Sequence, residues 1–319
     1  MSPYESQRLE IRLSDIYLYP ETLRRLGNLA NLLDLTLDVG KSIPVPATHT
    51  QLPSSSRTNS GMLKRLHIIG TPSSITRVLD DINLASLTTL VIDEVLDNTG
   101  SPTKSFWIRC FDQISVCRAI EDIEINQVIH RNENHDHYSL SISWFHSLWT
   151  LNNVKSLVIN GSAFSCSDED FSQLARSFPK LKKLVVPPTY YSQGGTLACL
   201  FYFSQYCSEL SEIDICLQFD IHQNLDIIKN LPQLENHRHP LKELYILSSQ
   251  LGKIKTSHMI KVALFLDLLF PNLSILEAGD SNKTEFLSWV GIQQIHRALA
   301  AARINGFNRA MSEMDSGSI

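Results

Sequence analysis

The chain has 319 residues, 43% of them hydrophobic and 19% charged, which is enough apolar material for a large core and excludes a disordered or disulfide-stapled peptide. Its formal charge of -5, from 28 Lys and Arg against 33 Asp and Glu, supplies no basic field for counterion-driven binding, so no nucleic-acid partner is expected. The six cysteines contain no Cys-x-x-Cys pair and lie among apolar residues, so they read as small buried thiols in a reducing compartment.

The first residues, Met1-Ser2-Pro3-Tyr4-Glu5, lack a basic region followed by an apolar run, so no secretory signal is read and a cytoplasmic or nuclear location is expected. Leu9-Glu10-Ile11-Arg12-Leu13 is a candidate first strand. A motif of aliphatic, two variable residues, aliphatic, one variable, aliphatic then begins at Leu32 with Leu35 and Leu37. It returns at Leu63, Leu87, Ile120, Val154, Leu181, Leu210, Leu241 and Leu273, with successive copies 24 to 34 residues apart. Such a fixed period marks a repeat architecture.

Between the copies the spacing predicts helices. Ile75, Val78, Leu79 and Ile82 form one apolar face, and Trp107, Cys110, Phe111, Ile114 and Cys117 form another. The clearest helix starts at a Ser167 cap, has Asp168, Glu169 and Asp170 at its positive end, and stops at Pro179. Further helices are expected near 141–151, 195–206, 221–231 and 257–270. A strand, a loop and a helix cannot bury their own apolar edge, so consecutive units must stack.

Two folds use units of this length, a closed strand-helix barrel and an open leucine-rich solenoid. Barrel strands are covered on both faces and should be almost wholly apolar. Here the strands read Lys64-Arg65-Leu66-His67-Ile68, Glu121-Asp122-Ile123-Glu124-Ile125 and Ser211-Glu212-Ile213-Asp214-Ile215. Charges alternate with aliphatics, so one sheet face meets water. The expected fold is α/β: a right-handed leucine-rich-repeat solenoid (horseshoe) with a concave parallel β-sheet and convex helices. A barrel enzyme is the less favoured alternative.

Ser177-Phe178-Pro179-Lys180-Leu181-Lys182-Lys183-Leu184, Leu269-Phe270-Pro271-Asn272-Leu273-Ser274-Ile275-Leu276 and Tyr206-Cys207-Ser208-Glu209-Leu210-Ser211-Glu212-Ile213 resemble the repeats of F-box/leucine-rich-repeat proteins. From about residue 165 onward the chain is similar to the large, divergent set of these proteins in mushroom-forming fungi. The resemblance implies a substrate receptor of a cullin-RING ubiquitin ligase, which docks on a Skp adaptor through an F-box. No segment ahead of the repeats matches that docking module, so the adaptor is expected as a partner only if an F-box precedes Met1. The alternative is a free-standing scaffold or decoy.

The expected organisation is a solenoid over 1–282 with a mobile polar loop at 40–61, a capping helix at 283–306 carrying Trp289, and a frayed tail at 307–319. Residues 126–141 also read as a solvated loop. The stretch Val262 to Phe270 is too short to span a bilayer and contains Asp267, so no membrane partner is expected.

Chemistry-bearing motifs are weak. Gly40-Lys41-Ser42 lacks the first glycine of a phosphate loop and runs into Ile43-Pro44-Val45-Pro46, which cannot open a helix toward a phosphate. Gly194-Gly195 reads as a turn. His130, His135 and His137, and the pair His237 and His239, alternate in a way that does not converge on one ion, and they read as solvated loop histidines. No cofactor, metal or catalytic group is expected, and the chain is read as a non-enzyme.

The variable residues of each strand are expected to line the concave face. Asp34, Asp38, Asp93, Asp122, Glu124, Glu212, Asp214, Glu243 and Glu277 are acidic there, whereas Arg65 and Lys183 are basic. Whole-chain frequencies would place about three acidic residues in those positions. A basic protein partner is therefore expected on Asp93, Asp122, Glu124, Asn126, Glu212, Asp214, Glu243 and Glu277, with Val185, Tyr245 and Leu247 as apolar and aromatic anchors. The competing reading is that these charges keep the strands soluble.

Overall fold

In a computed structural model of the chain, the described residues are 7–12, 19–29, 31–39, 62–95, 104–127, 139–161, 163–186, 195–217, 239–248, 255–279 and 283–316. They form two compact units, Met1–Ser165 with Ser177–Ser192, and Cys166–Arg176 with Gln193–Ile319. The readings at 40–61 and 221–231, and those on His130, His135, His137 and His237, lie outside the described residues.

In the first unit, strands β1 (Gln7–Arg12), β2 (Leu32–Asp38), β3 (Arg65–Gly70), β4 (Thr89–Glu94), β5 (Asp122–Gln127), β7 (Ser156–Asn160) and β9 (Lys183–Val186) pair side by side in chain order. Every pair is parallel, and from β2 to β9 the pairs run in register, so Leu35, Leu66, Leu90, Ile123, Leu157 and Leu184 line up in one row. Leu37, Ile68, Ile92, Ile125 and Ile159 make a second row, and all these side chains are buried. Each fully buried aliphatic in these rows contributes about 1.5–3 kcal/mol.

The opposite edge of the core comes from helices α1 (Pro20–Gly27), α2 (Pro72–Asp81) and α3 (Lys104–Ser115). Thr71 caps α2 by accepting a bond from Ser74 N at 3.4 Å, and Pro72 occupies the first turn, where no N–H is needed. The helix expected near 141–151 is a 3-10 helix, Ile142–Thr150. Its buried residues, Ile142, Phe145 and Leu148, recur every third position, which matches the 3-10 period and not the α period. Phe145 packs on Phe111 with ring centroids 4.3 Å apart. Two short strands, β6 (Ser139–Ser141) and β8 (Ala163–Ser165), pair beside the main sheet, so the ends of the expected 126–141 loop are strand residues.

The second unit has strands β10 (Glu212–Leu217), β11 (Glu243–Ser248) and β12 (Ile275–Gly279), again parallel and in chain order. Its helices are α4 (Asp168–Ser177), α5 (Ala198–Tyr206), α6 (Thr256–Leu269) and α7 (Lys283–Ser316). Ser167 and Asp170 form a reciprocal cap on α4: Asp170 N donates to Ser167 Oγ at 3.2 Å, and Ser167 N donates to Asp170 Oδ2 at 2.9 Å. Helix α7 packs on α6 and β12 and continues past residue 306, because residues 307–316 contain no proline to stop it.

The end strands β1 and β12 each pair on one side only, so the strands do not close into a barrel. Open parallel strands alternating with helices, with aliphatic motif positions inward, give a leucine-rich-repeat solenoid. One backbone contact recurs at the strand entries. A single carbonyl accepts from two successive amides of the next repeat: Lys64 O from Thr88 and Thr89, Thr88 O from Glu121 and Asp122, Glu121 O from Lys155 and Ser156, and Lys155 O from Lys182 and Lys183. In the second unit Ser211 O takes Lys242 and Glu243, and Lys242 O takes Ser274 and Ile275. These doubly accepting carbonyls, each using both lone pairs, fix the register before any side chain is considered.

Candidate interaction face

On the face of the first unit away from the helices, the in-register pairing sorts the variable residues into rows. The row Asp93, Asn126, Asn160 is joined by hydrogen bonds. Asn160 Nδ2 donates to Asn126 Oδ1 at 2.8 Å, and Asn126 Nδ2 donates to Asp93 Oδ1 at 2.8 Å and to Glu124 Oε1 at 3.0 Å. The other Asp93 oxygen meets His67 Nε2 at 2.7 Å. Four strands are thus tied together by side chains, and Asp93 and Asn126 are half-buried members of a ladder.

The flanking row holds Thr89, Asp122 and Ser156, with Thr89 Oγ1 donating to Asp122 Oδ2 at 3.1 Å. Between these rows run Val91, Glu124, Val158 and Val185, an apolar strip interrupted by one carboxylate. Val185 stands half-exposed in it, whereas Val91 is buried.

The second unit has a denser charge. Glu212 stands directly opposite Glu243, and Asp214, Tyr245 and Glu277 share a row. Tyr245 donates its hydroxyl to Glu243 Oε2 at 3.1 Å. Partial desolvation and the bond to Glu243, with the charges of Glu243, Glu277 and Glu212, hold that hydroxyl above the ordinary tyrosine range. Like charges directly opposite on neighbouring strands repel each other. Leu247 pairs through its backbone with Cys216 and Gly279.

Not every variable position faces water. Thr36 and Cys216 are buried, the latter where Gly195 bridges to Leu217 and the end of β10 is covered. Gly195 belongs to that bridge and not to a free turn: a Cβ there would lie 2.8 Å from the Phe171 ring. His239 also departs from its solvated reading. It is 5% exposed, donates from Nε2 to Cys207 O at 3.0 Å, and accepts at Nδ1 from Leu241 N at 3.2 Å.

One site in the first unit went unread. Inward of β4 and β5, Glu94 and Gln127 are paired in register, and Gln127 Nε2 donates to Glu94 Oε2. Glu94 is fully buried, its Oε1 and the Oε1 of Gln127 have no partner, and burial pushes its carboxyl up to about 7. The signal was available, since 90, 92 and 94 share one strand face. Gly161 closes the far side with φ +94, its missing Cβ leaving room for Gln127 O, which would lie 2.0 Å away.

Among the described residues no cluster of three His, Cys, Asp or Glu side chains could hold a metal ion, and no helix is long and apolar enough to cross a membrane. No protein-family model matches the sequence, and no curated protein matches it. Among solved structures, the chain is similar to the leucine-rich repeat-containing protein LegL7 from Legionella pneumophila, at 13% identity and TM-score 0.37, with 94% of this chain and 92% of that chain covered.

Proposed function

We propose that the chain is a non-catalytic repeat scaffold that recognises a basic protein through the sheet faces of its repeats. The observation that carries this reading is the in-register placement of Glu212 against Glu243 beside Asp214, Tyr245 and Glu277. Lys or Arg side chains of a partner would be attracted by this cluster of carboxylates, and Tyr245 and Leu247 supply the aromatic and apolar anchors. On the first unit, Asp93, Asp122 and Asn126 flank the Val91, Glu124 part of the strip that runs on through Val158 to Val185, with a preformed ladder that spares the partner the ordering cost.

A photoreactive residue at position 245 identifies the protein that touches the face, and binding of that purified protein is then compared between the wild type and two charge reversals. Asp122→Lys with Glu124→Lys, and Glu243→Lys with Glu277→Lys, are expected to weaken binding at least about tenfold and to flatten its salt dependence. Unchanged affinity in both double variants would refute the acidic-face reading.

A narrower form of the proposal makes these repeats the substrate-binding region of an F-box-type ubiquitin-ligase receptor. It is supported by the Phe-Pro-Lys-Leu and Phe-Pro-Asn-Leu motifs at 178–181 and 270–273. It requires an adaptor-docking module joined to the repeats. Mapping the transcript upstream of the Met1 codon tests it: an in-frame F-box-like segment supports the receptor, and its absence favours the free-standing scaffold or decoy.

A further inference from the structure

The second unit ends under a cover: helix α7 packs on β12 with Trp289 and Ile292 buried. The first unit begins without one among the described residues. There, strand β1 pairs with β2 alone, so its other edge offers backbone N–H and C=O groups that a further strand can take up. Leu9 and Ile11 stand in register with Leu35 and Leu37 and start the two core rows, yet they are half-buried where Leu35 and Leu37 have no exposure. Tyr19 and Leu29, which flank α1 in the same repeat, are 66% and 46% exposed. Terminal repeats of a stack need their core covered, and apolar side chains left open beside a free strand edge mark an interface.

We propose that a second copy of the chain covers this edge, with β1 pairing antiparallel to its own counterpart about a twofold axis at Leu9. The strand's residues select this occupant. Arg8 and Glu10 are exposed, and Leu9 lies on the opposite, core-side face. An axis at Leu9 sets Arg8 of each copy against Glu10 of the other and Leu9 against Leu9. Opposite charges then meet on the sheet face, and the aliphatic row runs on into the second copy. Residues 7–11 of both strands overlap in this register. An axis at Glu10 would set two carboxylates against each other, and one at Ile11 would leave residues 10–12 alone paired. The contact uses no residue of the acidic recognition surface proposed above, so the two readings fail separately.

Sedimentation velocity of the full chain from about 1 to 100 µM tests the assignment, and a reversible monomer–dimer equilibrium is expected. Glu10→Arg, which opposes like charges on both sides of the axis, is expected to weaken the dimer about tenfold or more, and Arg8→Glu combined with Glu10→Arg to restore it. Cross-linking gives an independent reading. In Leu9→Cys the two thiols face each other across the axis, so oxidised glutathione should join the copies, whereas in Glu10→Cys they are displaced along the strands and should not join. The six native thiols are buried and do not interfere. A chain that stays monomeric throughout, a dimer equally strong in Glu10→Arg, no restoration by the charge swap, or cross-linking no faster in Leu9→Cys than in Glu10→Cys would overturn the proposal.

Discussion

Replacing Glu94 by Gln should make the chain more stable near pH 8 and leave it unchanged near pH 4.5. The carboxyl moves from 4.5 when free to about 7 in the fold, chiefly because burial disfavours its charge. At about 1.4 kcal/mol for each tenfold change in proton affinity, that displacement corresponds to about 3 kcal/mol. Below pH 4.5 the group is protonated in both folded and unfolded chains, so it imposes no penalty. Between 4.5 and 7 the folded chain holds a proton that the unfolded chain has released, so stability falls as pH rises. Above 7 the group is ionised in both states and the full penalty of about 3 kcal/mol stands. Gln at 94 cannot titrate, and its amide offers the donor that the protonated Glu94 carboxyl offers at low pH, so the two side chains are equivalent there. Urea unfolding followed by tryptophan emission, at half-unit steps from pH 4.5 to 8.5, gives the difference between the two proteins, in which the other titrating groups cancel. Parallel stability profiles, or a less stable variant at pH 8, would show that Glu94 is not held in an unfavourable buried state.

Three further outcomes follow from local geometry. Gly161→Ala should destabilise the first unit by more than about 1 kcal/mol, seen as a lowered melting temperature, because φ +94 disfavours a side chain and the new Cβ meets Gln127 O. His239→Leu leaves Cys207 O and Leu241 N without partners and should cost about 3 kcal/mol in urea unfolding. All six cysteines are buried, and burial raises the thiols of Cys110, Cys166 and Cys199 and pushes Cys207 up to about 12. A disulfide reagent at pH 8 should therefore leave the folded chain unmodified and titrate six thiols in denaturant; rapid labelling of the folded chain would contradict the burial.

The strands were legible because two periodicities coincide: aliphatics alternate within each strand, and the whole pattern returns about every thirty residues. Even the faint candidate at Leu9 pairs in register with Leu35. The helix near 141–151 was legible but not its 3-10 type, because buried positions spaced by three also fit an α-helical face. Ser139–Ser141 and Ala163–Ser165 are too short to carry any period. The face was legible as a row of acids but not as a network. Which acids are tied down, as Asp93 is by His67 and Asn126, depends on neighbours 26 and 33 residues away in sequence. His239 was hidden for the same reason, since its bond to Cys207 O spans 32 residues.

The paired amides at each strand entry have an evolutionary consequence. Because one carbonyl and two N–H groups set the register, substitutions at the outward-facing strand positions that give these N–H groups leave the alignment of the repeats untouched. Positions such as Ser156, Lys183 and Glu243 can exchange side chains freely, with proline as the exception, since it has no N–H to give. The recognition surface can then drift quickly on a frame that selection holds still, and duplicated copies of such a gene can diverge toward different partners without first losing the ability to fold.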